Sequence, residues 1–342
     1  MANNKCKSCG GIYEYSPQHN ALKCIKCGGI KEIVSSTEIK YHNCIDSKQF
    51  DNSWAKDVRH LKCNNCGAEV VLNHLEILSK CSYCGNSSLI NVEEIAQVVP
   101  DSVIPFKFDK TDALQYFKQG LKKKRFIPNC LKKDLPDINI SSSYIGTYIF
   151  NGESNIKYDG VLEYYADDKD MKGNTRRVIK TKRVDGKINL NFNDRLYECS
   201  SNLTQFDYNY ILPYNLKERI PYNVDYLLGY SAEYSDISVG STEKILEKDL
   251  RSEAERSIVK KHHCDRVKTL NLNFEYTKKE YSYCLVPTYI FNYNYKNKTY
   301  KTVMNGQTGK LGYDVPRSGV KITAFIMFII LIVCGILGVV LF

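Results

Sequence analysis

Cys6-Lys7-Ser8-Cys9-Gly10 and Cys24-Ile25-Lys26-Cys27-Gly28 recur, 57 positions on, as Cys63-Asn64-Asn65-Cys66-Gly67 and Cys81-Ser82-Tyr83-Cys84-Gly85. Fourteen residues separate Cys9 from Cys24, and fourteen separate Cys66 from Cys81. A Cys-x-x-Cys-Gly knuckle aims two thiolates at one ion, and its glycine supplies the positive φ of the return. Two knuckles close a tetrathiolate, so the doubled pattern predicts two structural Zn2+ ions. The ligands would be Cys6, Cys9, Cys24 and Cys27, then Cys63, Cys66, Cys81 and Cys84. A pair of disulfides, or free thiols, is the alternative chemistry of the same residues. Each unit of about 35 residues is too small to bury its own core, so metal must supply folding energy.

Between the knuckles of each unit lies a hairpin pattern. Gly11-Ile12-Tyr13-Glu14-Tyr15 alternates, Ser16-Pro17-Gln18-His19-Asn20 turns, and Ala21-Leu22-Lys23 returns; Ala68-Glu69-Val70-Val71-Leu72 and Glu76-Ile77-Leu78 repeat the plan. His19 and His74 fall at the turns, and four cysteines already close each site. The connector holds Trp54, expected to pack on a ribbon, and His42, Cys44 and His60, whose spacing matches no metal rule.

The net charge of +10 is uneven. Residues 1–95 hold 11 Lys/Arg against 10 Asp/Glu, so the ribbon region is nearly neutral and the excess lies further on. That weakens a phosphate-backbone reading of the ribbons, since such binding draws on clustered cations. Met1 to Lys7 is polar, which argues against a signal peptide and for reduced thiols.

Downstream, Asp109 can cap a helix over 110–124 with Leu114, Phe117 and Leu121 on its apolar face. The helix ends in Lys122-Lys123-Lys124-Arg125, either a basic patch or a solvated helix end. Strands are expected over 144–150, 161–165, 176–181, 187–192, 226–234, 267–276, 281–295 and 299–304. Turns are expected at Asn151-Gly152 and Asp185-Gly186. A second helix over 242–260 carries Leu246, Leu250, Ala254 and Ile258, and His262-His263 closes it. Thr147-Tyr148-Ile149-Phe150-Asn151 returns as Thr288-Tyr289-Ile290-Phe291-Asn292, which suggests two related halves. The phrases Leu212-Pro213-Tyr214-Asn215 and Ile220-Pro221-Tyr222-Asn223 also echo each other. Asn305-Gly306-Gln307-Thr308-Gly309-Lys310 forms a polar turn, not a phosphate loop.

Residues 322–342 contain no charge, enough for a C-terminal transmembrane helix, and Lys310, Arg317 and Lys321 precede them. Together these signals predict an α+β chain. Its parts are zinc ribbon 1 (1–34), a connector (35–61), zinc ribbon 2 (62–95), a central antiparallel-sheet-plus-helix region (96–317) and the membrane helix. The expected location is a single-pass cell-membrane protein with a cytoplasmic N-terminus. No nucleophile elbow or P-loop is present, and closed tetrathiolates leave no open coordination position, so no catalytic residue is assigned.

The paired knuckles, Val103-Ile104-Pro105-Phe106, Gly146-Thr147-Tyr148-Ile149-Phe150, the Leu212-Pro213-Tyr214 phrase and Val303-Met304 leading into Asn305–Lys310 carry a resemblance. The chain resembles the YdjG-like zinc-ribbon membrane proteins of bacteria, often labelled TFIIB-type zinc ribbons or helicase- and phage-replication-like. The resemblance implies zinc at the eight ribbon cysteines and no known catalytic residues. It also implies a membrane-bound adaptor in envelope stress, with SPFH-domain and phage-shock-type coat proteins, other cytoplasmic proteins and membrane lipids as partners. A membrane-associated nucleic-acid-binding protein is the alternative.

Overall fold

The computed structural model describes residues 5–34, 38–44, 58–73, 81, 89–91, 99–133, 138–169, 175–200, 203, 205–233, 237–296, 298–312 and 315–341. At 58–60, 72–73, 89–91, 205–206 and 336–341 backbone alone is described. In chain order the elements are β1 (Tyr13–Ser16), β2 (Ala21–Cys24), β3 (Ile30–Lys31), β4 (His42–Asn43), β5 (Val58–Cys63), β6 (Glu69–Asn73), β7 (Leu89–Asn91), β8 (Ser102–Val103), α1 (Lys110–Lys123) and α2 (Asn129–Lys133). There follow β9 (Ile138–Lys169), β10 (Thr175–Glu198), α3 (Gln205–Ile211), β11 (Ile220–Pro221), β12 (Ser231–Glu233), α4 (Val239–Lys261), β13 (Arg266–Tyr295), β14 (Lys298–Asn305) and α5 (Gly319–Leu341).

Three very long strands dominate: β9 has 32 residues, β10 has 24 and β13 has 30. Strand outweighs helix among the described residues, 46% against 27%, so the expected α+β balance is corrected to a mostly β fold. The reason lies in two misread glycines. Asn151-Gly152 and Asp185-Gly186, expected as turns, run inside β9 and β10. A Cβ on Gly152 would lie 2.4 Å from the Lys278 carbonyl oxygen, so the glycine allows a neighbouring strand to approach. Asn151 Oδ1 accepts from the Asp194 amide at 2.7 Å, where β10 shifts register between Phe192 and Arg195.

The central order is β10–β9–β13–β14, all antiparallel. The two echo segments sit on the inner strands of two hairpins. Thr147 of β9 faces Glu198 of β10, and Thr288 of β13 faces Asn305 of β14. Alternation sorts the side chains by face. Tyr144, Tyr148, Phe150, Tyr283, Tyr289 and Phe291 join one buried cluster, whereas Ile145, Ile149, Cys284, Val286 and Ile290 join another.

The aromatic face is covered by α1 and α4. Asp109 caps α1, accepting from the Thr111 and Asp112 amides at 2.8 and 2.9 Å. Ala113, Phe117 and Leu121 are buried, so Ala113 takes the place expected for Leu114. Phe117 stacks on Phe291 with centroids 4.5 Å apart. Ser238 caps the N-terminus of α4, and Leu246, Leu250, Ala254 and Ile258 lie on its buried stripe, as the spacing predicts. His262 caps its C-terminus and its Nε2 lies 2.9 Å from the Tyr158 hydroxyl.

The expected membrane helix at 322–342 is also corrected. The chain forms α5 there, with residues 325–333 exposed. Yet among the described residues no helix is long and apolar enough to cross a membrane. The transmembrane anchor and the single-pass location that depended on it therefore lack support.

Candidate metal centres

Ribbon 1 is a small sheet, β1–β2–β3. Its two knuckles share one geometry: the Gly10 amide donates to Cys6 O at 2.8 Å, and the Gly28 amide to Cys24 O at 2.9 Å. Gly10 and Gly28 have φ of 69° and 74°, the left-handed return that the motif requires. The thiol groups of Cys6, Cys9, Cys24 and Cys27 all lie within 4.8 Å of one another. Cys6 Sγ is 3.7 Å from Cys27 Sγ, and Cys9 Sγ is 3.5 Å from Cys24 Sγ.

These separations test the metal. A tetrahedron with bonds of about 2.3 Å has sulfur–sulfur edges of about 3.8 Å. A disulfide needs about 2.05 Å. The four thiols thus fit a tetrathiolate and are not paired as disulfides. The surroundings lower two of the four thiols and raise a third: against the Gly11 amide, the Cys27 thiol and burial push Cys9 up to about 12. The Tyr13 hydroxyl, and after it the amides of Ser8 and Cys9, holds the Cys6 thiol down at about 6 from an ordinary 9.0. The amide of Cys27, countered by burial and aided by that of Lys26, pulls Cys24 down too. The Gly11 amide donates to Cys9 Sγ at 3.4 Å.

Ribbon 2 repeats the knuckle. The Gly67 amide donates to Cys63 O at 2.8 Å, and Gly67 has φ of 75°. Cys63, Cys66 and Cys81 form a second group, with Cys66 Sγ 3.7 Å from Cys81 Sγ. The expected fourth ligand, Cys84, lies outside the described residues, as do Trp54 and His74. Both clusters can therefore hold a metal ion.

The two ribbons join the central body differently. Ribbon 2 extends the sheet: β6 pairs with β12, Val71 opposite Ala232, and β12 pairs in parallel with β9. Leu61, Cys63, Val70 and Cys81 are buried with Ile145, Ile149 and Val303 on the aliphatic side. Ribbon 1 docks on the aromatic side through Tyr15. The Tyr15 amide donates to Leu228 O at 2.9 Å. Its ring meets Tyr226 at 5.1 Å and Tyr230 at 6.0 Å. Its hydroxyl donates to Asn20 Oδ1 at 3.0 Å and lies 3.3 Å from Phe106 O.

The other candidates resolve as structural parts. His19 is exposed at its turn, Nδ1 2.9 Å from Ser16 Oγ. His42 Nε2 contacts Asp101 Oδ1 at 2.8 Å rather than a metal group, while the His60 side chain is outside the described residues. Cys44 is buried, and burial pushes its thiol up to about 11.

Two phrases without an assigned role acquire one. Asn215 and Asn223 each cap a short 3-10 turn, over Leu216–Glu218 and Val224–Leu227. The Asn305–Lys310 turn clamps the first phrase. Asn305 Nδ2 donates to Ile211 O at 2.8 Å, Gln307 Oε1 accepts from the Asn215 amide at 2.7 Å, and Lys310 Nζ donates to Leu212 O. The repeated Pro-Tyr-Asn was the sequence signal for the paired caps; nothing in the sequence joins it to the distant clamp.

Sequence reasoning missed one surface feature. Ile12, Ile25 and Ile30 of ribbon 1 are 45%, 61% and 54% exposed beside the knuckles. The Ile25 amide donates to Ile12 O at 3.0 Å, so the first two are neighbours.

No family model matches the chain, and no solved structure matches it. A protein of Bacillus subtilis (strain 168), named Uncharacterized protein YdjG, is 24% identical over 335 residues. The alignment spans 94% of this chain and 92% of that protein, so the likeness runs nearly end to end.

Proposed function

We propose that the chain is a zinc-stabilised docking scaffold that binds partner proteins through the outer face of ribbon 1. Zinc is the ion this reading takes, because four thiolates in a closed tetrahedral set suit a structural, redox-silent metal. The observation that carries the reading is the exposure of Ile12, Ile25 and Ile30, which flank the β1–β2 hairpin beside the knuckles. That hairpin is itself anchored by buried Tyr13, Tyr15 and Leu22. A metal-locked hairpin loses little conformational entropy on binding, so its exposed isoleucines suit an apolar partner surface. Zinc in this reading holds shape and performs no chemistry on a substrate.

The test is crosslinked affinity purification of the full-length chain and of an Ile12→Asp, Ile25→Asp double variant, with nuclease treatment. The reading predicts near-stoichiometric proteins that survive nuclease and are lost from the variant while its metal content stays normal. Recovery that depends on nucleic acid would sink it, as would a variant that keeps every partner.

A further inference from the structure

A cavity of about 510 Å³ lies where the β13–β14 turn, the loop before α2 and the entry to α5 meet. Its charge sets it apart. Lys296, Lys298, Arg317 and Lys321 line it, and no carboxylate does among the described residues. A second cavity, about 440 Å³ between ribbon 1 and the start of α1, balances Lys23 and Lys110 with Glu14 and Asp109.

The walls are built. The Ser318 amide donates to Phe126 O at 2.7 Å, and Phe126 meets Phe325 edge-on at 5.4 Å. Lys321 Nζ donates to Ile127 O and to Asn129 Oδ1, both at 2.7 Å, so it is held in place. Lys296 and Lys298 lie over the Tyr295 and Tyr300 rings, 5.7 and 5.1 Å from the centroids. Among the described residues neither lysine has a carboxylate within ion-pair distance, and neither has Arg317. Burial, and then the Arg317 charge, pushes the nearby Lys124 ammonium down.

Four like charges around one cavity repel each other, and a single monoanion would leave most of that repulsion in place. We infer that this cavity binds a small ligand carrying two or more phosphate groups. Arg317 offers a planar fork and the lysines offer point charges for phosphate oxygens. The volume admits one nucleotide-sized molecule. A chain of phosphates is the shared chemistry, and it comes either from a nucleoside triphosphate or from inorganic polyphosphate.

Calorimetric titration of the full-length chain with ATP, tripolyphosphate and adenosine decides this, without magnesium and at two salt concentrations. ATP or tripolyphosphate should bind, adenosine should bind at least tenfold more weakly, and affinity should fall with salt. Tighter binding of ATP would identify the nucleotide, and equal binding the bare polyphosphate. A Lys298→Ala, Arg317→Ala double variant should bind at least tenfold more weakly with unchanged circular dichroism, and Lys118→Ala should match the parent. The inference is overturned if neither phosphate ligand binds at millimolar concentration, if adenosine matches ATP, or if the well-folded double variant binds as the parent does.

Discussion

Gly10 and Gly11 show two different needs for glycine, one residue apart. Gly10 has φ of 69° with open space where a Cβ would stand, so any substitution there is strained by backbone alone. At Gly11 a Cβ would lie 2.8 Å from Lys26 Cβ and 2.9 Å from Cys24 Sγ. Gly11→Ala should therefore push a thiolate out of the tetrahedral set while leaving the rest of the fold intact. Chelator competition should show metal affinity at ribbon 1 down at least tenfold, with ribbon 2 unchanged. Equal affinity at both ribbons would show that the Gly11 contact yields without disturbing the site. The Gly10 requirement was legible because the Cys-x-x-Cys-Gly phrase encodes it locally. The Gly11 requirement was not, since it depends on a knuckle that returns fifteen residues later.

Among elements, helices were more legible than strands. The α4 stripe at Leu246, Leu250, Ala254 and Ile258 follows from a 3.6-residue period, and Asp109 announces α1. Strand limits failed at Gly152 and Gly186 because a glycine that turns a chain and one that admits a neighbouring strand look alike in sequence. A Cβ on Gly186 would lie 2.8 Å from the Tyr158 hydroxyl, a contact made across the β9–β10 pair. The docking of ribbon 1 was equally hidden, since it relies on Tyr226 and Tyr230, more than 200 positions from Tyr15. Tyr15→Ala removes a buried ring from that junction and should cost about 3–5 kcal/mol. Urea unfolding should show the loss, and limited proteolysis should cut ribbon 1 from the body first. An unchanged midpoint would mean that the Leu228 backbone bond and the other apolar contacts suffice to seat the ribbon.

At the scale of the whole molecule, two cysteine units repeated in sequence are used in unlike ways. One lies on the aromatic face of the sheet and keeps its outer isoleucines exposed. The other continues the sheet through β12 and buries Cys63 and Cys81 in the aliphatic cluster. The doubled spacing showed the units, but sequence repeats carry no record of which surface each unit meets. Metal bound at either unit would stabilise the body as well as the ribbon, because the thiols share their clusters with the long strands. The most direct test is metal content by mass spectrometry on the reduced full-length chain, alone and as Cys6→Ser. Two zinc ions per chain, falling to one in the variant, is the predicted result. A parent chain without bound metal, or a variant that retains both ions, would contradict the assignment of ribbon 1 as a tetrathiolate centre.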